Sequence, residues 1–174
     1  MYLKRWIPIA MFFALSVRSK AQVCVNAAPD AVRSAVEQDG WKILGPQDLA
    51  AEDRPIFKGN HPGQCPGIAA GNFHPKADSS FVVALVKQDD EKHQLEKTLI
   101  VTLKKNRMET AVILPPAQVN AVAVVWRLPP GHWRGLDGTR VVLSRDSFVS
   151  EQIIAAATQF YYDGSHLKSF VISR

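Results

Sequence analysis

The sequence predicts an α+β fold, with one or two N-terminal helices packed on a mainly antiparallel sheet of six to eight strands and one disulfide. Helical spacing of apolar residues occurs early in the chain, whereas continuous or alternating apolar runs bounded by Gly and Pro fill the rest. Residues 65–86 join a cysteine, a loop rich in Gly and Pro, and the most apolar strand candidate. This stretch can therefore fix the covalent topology and the register of the sheet together.

The first 21 residues have the order of a secretory signal peptide. Two basic residues precede an apolar run over residues 7–17, and small side chains stand at the −3 and −1 positions of a cleavage site after Ala21. The run is too short to span a bilayer. We therefore expect residues 1–21 to be removed and residues 22–174 to form a single α+β domain, periplasmic or secreted.

The charge balance argues against a nucleic-acid partner. The formal net charge is +5, but four of the 21 basic residues lie in the predicted signal peptide, which holds no acid. The remaining 17 basic residues face 16 acidic ones and form no basic stripe, which phosphate binding requires. No second apolar run approaches about 18 residues, so we expect no membrane span after cleavage.

Cys24 and Cys65 are the two cysteines of the chain. In an oxidising compartment such a pair predicts a structural disulfide, which would stabilise the fold by about 4 kcal/mol by constraining the unfolded chain. The alternatives are a lipid-modified Cys24 and a metal site with His61 or His74. No small residue directly precedes Cys24, which disfavours lipidation, and we expect neither a metal nor another cofactor.

The helical signals lie before residue 54. Residues 29–38 place Val32 and Val36 on one face and are followed by Asp-Gly, which predicts a short amphipathic helix. Residues 47–53 could add one or two further helical turns. Pro and Gly are so frequent in residues 54–78 that we expect no regular element there, only a surface loop and connectors.

The strand signals follow. Residues 81–86 are apolar throughout, as in a central strand buried on both faces. Residues 98–103 and 110–114 predict a hairpin that ends at Pro115-Pro116, and residues 129–135 interrupt the sheet. Further strands are expected at residues 121–128, 139–143, 153–162 and 167–173, the last two joined by a type I′ turn at Asp163-Gly164.

Several motifs resemble a group of uncharacterised secreted bacterial proteins that carry an FG-GAP (integrin-like) loop before a β-rich domain. They are Gly-Trp-Lys-Ile at 40–43, Cys-Pro-Gly at 65–67, Gly-Asn-Phe at 71–73, the strand at 81–86 and Phe-Tyr-Tyr-Asp-Gly at 160–164. The resemblance implies an exported β-rich domain and no known activity.

The FG-GAP-like loop departs from the calcium-binding pattern of that group. Alternate carboxylates converge on the ion in such loops, but the corresponding positions here are Asn72, His74, Lys76 and Ser80. A lysine ammonium repels a cation where an anionic oxygen is needed. We therefore predict that the loop keeps its turn and has lost the metal.

Several motifs typical of catalytic and metal sites are absent from the sequence. The five histidines have neither His-x-His nor i, i+4 spacing, and no Gly-x-Ser-x-Gly elbow or Cys-x-x-Cys pair occurs. The candidate binding residues are His132, Trp133 and Arg134 in a Pro-rich loop, together with His61, because Trp and Arg are enriched in binding hot spots. Instead of contacting a partner, Trp133 can equally be a lid that packs over the sheet.

These observations favour an exported, non-catalytic binding or accessory domain, of inhibitor or immunity type, that docks another envelope or secreted protein. The alternative is a small periplasmic hydrolase or sugar-acting enzyme whose site is assembled only in the fold. A concave pocket with a strongly shifted carboxyl or histidine pKa would favour the enzyme, whereas a flat apolar patch bordered by Arg would favour the binder.

Overall fold

The computed structural model describes residue 24 and residues 27–90, 93–105 and 107–174, so the predicted signal peptide lies outside the described residues. The elements in chain order are α1 Asp30–Val36, β1 Lys42–Ile43, a 3-10 helix Pro46–Asp48, α2 Asp53–Asn60, β2 Ile68–Gly71, β3 Ser79–Gln88, β4 Gln94–Lys104, β5 Arg107–Val119, β6 Ala123–Leu128, β7 Gly131–Arg134, β8 Arg140–Leu143, β9 Ser147–Gln152, β10 Ala157–Asp163 and β11 His166–Ser173. In this part of the chain no helix combines the length and apolarity needed to cross a membrane.

The strands form three antiparallel sheets. In the first, β3 pairs with β4 on one side and with both β1 and β2 on the other, and β5 pairs with β4 at the outer edge. The second has the order β11-β10-β9-β6, and β7 and β8 form a separate hairpin. The predicted mainly antiparallel architecture is confirmed, but the described residues hold eleven strands in three sheets rather than six to eight in one.

The main core lies between the first and second sheets. Val82, Ala84 and Val86 of β3 face Phe148 of β9 and Phe160 of β10, whose rings stack 5.2 Å apart. The intervening residues of β3 are equally buried, on the opposite face of the sheet. The prediction that residues 81–86 form a central strand covered on both sides is therefore confirmed, although Phe81 itself is half-buried.

The disulfide and α1 cover the other face of the first sheet. Val32 and Val36 of α1 pack there, and Cys24 is bonded to Cys65 with an S–S distance of 2.09 Å, which confirms the predicted bridge. Gly67 of the Cys-Pro-Gly segment lies directly against the backbone of Leu44. A Cβ at position 67 would lie 2.4 Å from the carbonyl oxygen of Leu44, so only glycine fits there.

The helical turn expected at residues 47–53 is present in part, as a 3-10 helix at Pro46–Asp48. The prediction for residues 54–78 is wrong, because α2 and β2 occupy a region where no regular element was expected. Pro55 lies in the first turn of α2, where its missing N–H costs nothing, and Phe57 anchors the helix in the core. Tertiary burial therefore outweighs the Pro and Gly content.

Three predicted strand limits are also wrong. Strand β5 continues through Pro115 and Pro116 to Val119, because an edge strand needs no N–H on its free side and the pairing with β4 is irregular near this point. Strand β7 forms inside the stretch expected to interrupt the sheet. The strand expected at residues 153–162 instead begins at Ala157, after a turn in which Ile154 has a φ of 65°.

The C-terminal hairpin is confirmed, but its turn type is not. Asp163 pairs with His166, so Gly164 and Ser165 are the two central residues of the turn. Gly164 has a φ of 58°, whereas Ser165 is not among the residues with positive φ. A single glycine with positive φ at the first central position is typical of a type II′ turn rather than the expected type I′ turn.

Candidate functional site

The β7–β8 hairpin presents a regular, solvent-exposed face. His132 lies opposite Val142 and Arg134 lies opposite Arg140, and all four residues are exposed. We call these four residues the hairpin face. It contains two of the predicted binding residues, His132 and Arg134, and adds Arg140 and Val142, which the sequence analysis did not single out.

The opposite face of the same hairpin is packed. Trp133 and its cross-strand partner Val141 are half-buried, and Trp133 contacts the cluster of Leu128, Val149 and Ala157 on the outer side of the second sheet. Its indole nitrogen is buried and has no hydrogen-bond partner among the described residues. Of the two interpretations of Trp133, this position corresponds to the packed lid, and Trp133 anchors the hairpin face to the domain.

His61, the remaining predicted binding residue, lies in an aromatic cluster at the end of α2. Its ring centroid is 5.1 Å from that of Phe57 and 5.0 Å from that of Trp126. Its Nε2 lies 3.8 Å from Glu151 Oε2, which accepts a hydrogen bond of 2.8 Å from the Trp126 indole nitrogen. Burial lowers the pKa of His61 from its ordinary value of 6.5, and the nearby Glu151 carboxylate only partly offsets this effect.

A mainly apolar cavity of about 290 Å³ adjoins His61. Leu49 and Phe57 contribute apolar walls, and Arg54 closes one side while donating to the carbonyl oxygens of Gln47 and Leu49. The lining residues include no Ser, Thr or Cys, so the cavity offers His61 no hydroxyl or thiol to activate. The arrangement can hold an apolar group but does not form a catalytic triad.

The loop between β2 and β3, where the sequence resembles an FG-GAP loop, is connected by direct hydrogen bonds to the segment between β8 and β9. The Asn72 amide donates to Asp146 Oδ2 over 2.8 Å, and Arg145 Nη1 donates to Asn72 Oδ1 over 3.1 Å. Asp78 Oδ2 accepts from the amide of Lys105 over 2.9 Å. Its carboxyl is therefore used within the protein, while the loss of the metal remains a prediction.

A second cleft, of about 380 Å³, opens between the edges of the two sheets. Glu96 of β4 lies in it with only 7% of its surface exposed. We call it the Glu96 cleft; its other lining residues are Lys97, Leu114, Pro115, Ala117, Val119, Ala123, Ser150, Gln152, Ala156 and Thr158. Its volume falls within the range of about 300–1,000 Å³ typical of small-molecule sites.

Glu96 has no cationic partner among the described residues. Its Oε2 accepts a hydrogen bond of 2.8 Å from the amide of Ala123, and none of the ion pairs among the described residues includes it. Burial raises its pKa from 4.5 to about 7, and the Ala123 hydrogen bond offsets this only in part. Lys97 lines the cleft, but its Nζ lies over the ring of Trp41, 4.2 Å from the centroid.

Glu96 does not stand out in the sequence, because the polar run before residue 98 resembles the solvated start of a strand. One signal was present in the alternation of β4, since Glu96, Thr98 and Ile100 share a face and Ile100 belongs to the core. Thr98 is fully buried with its hydroxyl lacking a hydrogen-bond partner among the described residues. Only the tertiary structure shows that this polar side of β4 faces the second sheet.

The described residues contain no group of three or more His, Cys, Asp or Glu side chains that could hold a metal ion. Comparison with protein-family models found no match. Comparisons with curated proteins and with solved structures found no significant match either. The resemblance to secreted proteins with an FG-GAP-like loop therefore remains a prediction.

Proposed function

We propose that this chain is an exported, non-catalytic binding module that docks another envelope or secreted protein through the hairpin face. The observation that carries the proposal is the pairing of Arg134 with Arg140 in direct cross-strand register, both exposed. Like charges directly opposite each other destabilise a hairpin. An acidic partner surface that neutralises both arginines would offset this cost.

The remaining features of the hairpin face suit the same role. Val142 is 72% exposed beside the two arginines, which makes a small apolar spot bordered by positive charge. Arg is enriched in binding hot spots, and apolar side chains next to it lose water when a partner covers them. Because Trp133 fixes the hairpin to the second sheet, little ordering entropy would be lost on docking.

The partner surface that complements this face is acidic with a small apolar protrusion or recess. Such complementarity raises the association rate and is weakened by salt. Export is supported by the predicted signal peptide and by the disulfide, since structural disulfides persist in oxidising compartments.

The test is affinity capture from the cell envelope with the mature protein and two charge-reversal variants. One variant carries Arg134→Glu and Arg140→Glu. The matched control carries Lys104→Glu and Arg107→Glu, which also form an exposed cross-strand pair in a hairpin, between β4 and β5. Both variants change the charge by the same amount in the same structural setting.

We expect one stoichiometric partner that the wild type and the control retain and the hairpin variant loses, with binding that weakens as salt rises. Loss in the control variant alone would contradict the hairpin face and assign docking to the β4–β5 hairpin.

One observation favours the alternative of a hydrolase or sugar-acting enzyme, namely the raised pKa of Glu96 in a cleft. A glycosidase needs a second carboxylate within roughly 5–9.5 Å, and the lining of the Glu96 cleft contains no other Asp or Glu. It contains no His or Cys either, so Ser150 and Thr158 have no histidine base there. Turnover of a screened glycoside or ester that Glu96→Gln abolishes, without a captured partner, would favour this alternative.

A further inference from the structure

We propose that the Glu96 cleft binds a primary ammonium group carried on a short aliphatic chain, with the Glu96 carboxylate as its counter-charge. The cleft is lined by strands of the two large sheets and shares no residue with the hairpin face. Ammonium binding in the Glu96 cleft is therefore separate from docking through the hairpin face, and each can be tested without the other.

The Glu96 carboxyl has one oxygen without a donor among the described residues. A carboxylate has two oxygens that accept hydrogen bonds, and burial without a cation is costly unless these are satisfied. Among the described residues, the one donor to this carboxyl is the Ala123 amide, which bonds to Oε2. Oε1 has no donor in this part of the chain and is not among the fully buried polar atoms that lack a partner, so it keeps some accessible surface in a residue that lines the cleft.

The charges that line the Glu96 cleft favour a cationic ligand. Glu96 and Lys97 are the titratable groups of the lining, and the Lys97 ammonium is held over Trp41. The side chains that β9 and β10 contribute, Ser150, Gln152 and Thr158, are neutral, and those from β5 and β6 are aliphatic. A ligand with one positive charge thus compensates the cleft, whereas an anion would meet Glu96 without a cation to bind.

The polar and apolar side chains of the lining suit a primary ammonium group on a short alkyl chain. A primary ammonium has three donors, and the side-chain oxygens of Ser150, Gln152 and Thr158 supply acceptors beside Glu96. Leu114 and Val119 supply apolar surface for a short alkyl chain. The lining includes no aromatic ring, which disfavours a quaternary ammonium because such groups are recognised by aromatic cages.

The probe is n-butylammonium chloride, titrated calorimetrically into the mature protein at pH 8, where both partners are charged. We expect one-to-one binding that n-butanol, its neutral analogue, does not reproduce. Affinity should fall roughly tenfold or more between pH 8 and pH 5.5, since Glu96 must be ionised to pair with the cation.

Two variants test the site from different directions. Glu96→Gln keeps an acceptor for the Ala123 amide but removes the charge, so butylammonium affinity should fall about tenfold or more. Ala156→Phe fills the cleft from its exposed rim without altering Glu96, and should also abolish binding. The matched control Glu52→Gln removes an exposed carboxylate outside the cleft and should bind as the wild type does.

The ammonium group could come from a free amine or from a lysine side chain of a partner protein. Nα-acetyl-lysine N-methylamide distinguishes these two sources, because it carries the same butylammonium group on a peptide backbone. Tighter binding of the lysine derivative assigns the cleft to a lysine of a partner protein, and tighter binding of butylammonium assigns it to a free amine. Absence of binding by both probes at pH 8, or equal affinity in Glu96→Gln or for butanol, would overturn the inference.

Discussion

Replacing Glu96 by Gln should stabilise the protein at pH 8 and leave its stability almost unchanged at pH 4. Burial raises the folded-state pKa of Glu96 from 4.5 to about 7, so the stability contributed by its protonated form is present below pH 4.5 and lost as pH rises through about 7. At 1.36 kcal/mol per pH unit, the cost of ionised Glu96 approaches about 3 kcal/mol. Glutamine mimics the protonated carboxyl and does not titrate.

The assay is urea unfolding of the wild type and of Glu96→Gln at several pH values between 4 and 8.5. The difference in the free energy of unfolding should be near zero at pH 4 and grow to roughly 2–3 kcal/mol in favour of the variant above pH 7.5. The exposed control Glu52→Gln should stay within about 1 kcal/mol of the wild type throughout. A pH-independent difference, or a variant less stable than the wild type at pH 8, would refute the reasoning.

Three further predictions concern the disulfide, the hairpin and His61. Replacing both Cys24 and Cys65 by Ala should lower the free energy of unfolding by about 4 kcal/mol in urea titrations, and an unchanged value would show that the bridge is dispensable. Trp133→Ala should lower the thermal midpoint and reduce the free energy of unfolding by roughly 2 kcal/mol, whereas Arg134→Ala, at an exposed position, should stay within about 0.5 kcal/mol of the wild type. Equal losses in the two variants would contradict a hairpin with one packed and one exposed face. Because burial depresses the pKa of His61, the wild type should lose stability relative to His61→Gln as pH falls below 6.5, and parallel pH profiles of the two proteins would contradict this.

Features encoded by local chemistry were predictable from the sequence. The continuous apolar run identified the strand β3, the pair of cysteines in a predicted exported chain identified the disulfide, and Asp163-Gly164 identified the last hairpin. The strand and the hairpin depend on residues that are adjacent in sequence, and the disulfide depends on the only two cysteines of the chain.

Features that depend on distant contacts were not predictable. Helix α2 forms because Phe57 finds a core built by later strands, and β5 passes its prolines because it lies at the edge of the sheet. The predicted loop of His132, Trp133 and Arg134 became a hairpin, since Val141 and Arg140 supply the pairing strand. Local Pro and Gly content carries no information about such partners.

The candidate site shows the same division. His132 and Arg134 were identified by residue type, but their alignment with Arg140 and Val142 on one face emerges only from the register of the hairpin. Glu96 escaped notice because its burial depends on Ala123 of β6 and on the packing of the two sheets.

The most direct measurement is a pH titration of the Glu96 carboxyl carbon by NMR, with and without n-butylammonium. In the free protein, burial should raise the pKa of Glu96 to about 7, so the carboxyl should titrate with a midpoint near pH 7. Saturating butylammonium should shift that midpoint downward, because the bound cation favours the ionised carboxylate. A midpoint near the ordinary value of 4.5, or one that butylammonium leaves unchanged, would contradict a ligand-binding cleft built around Glu96.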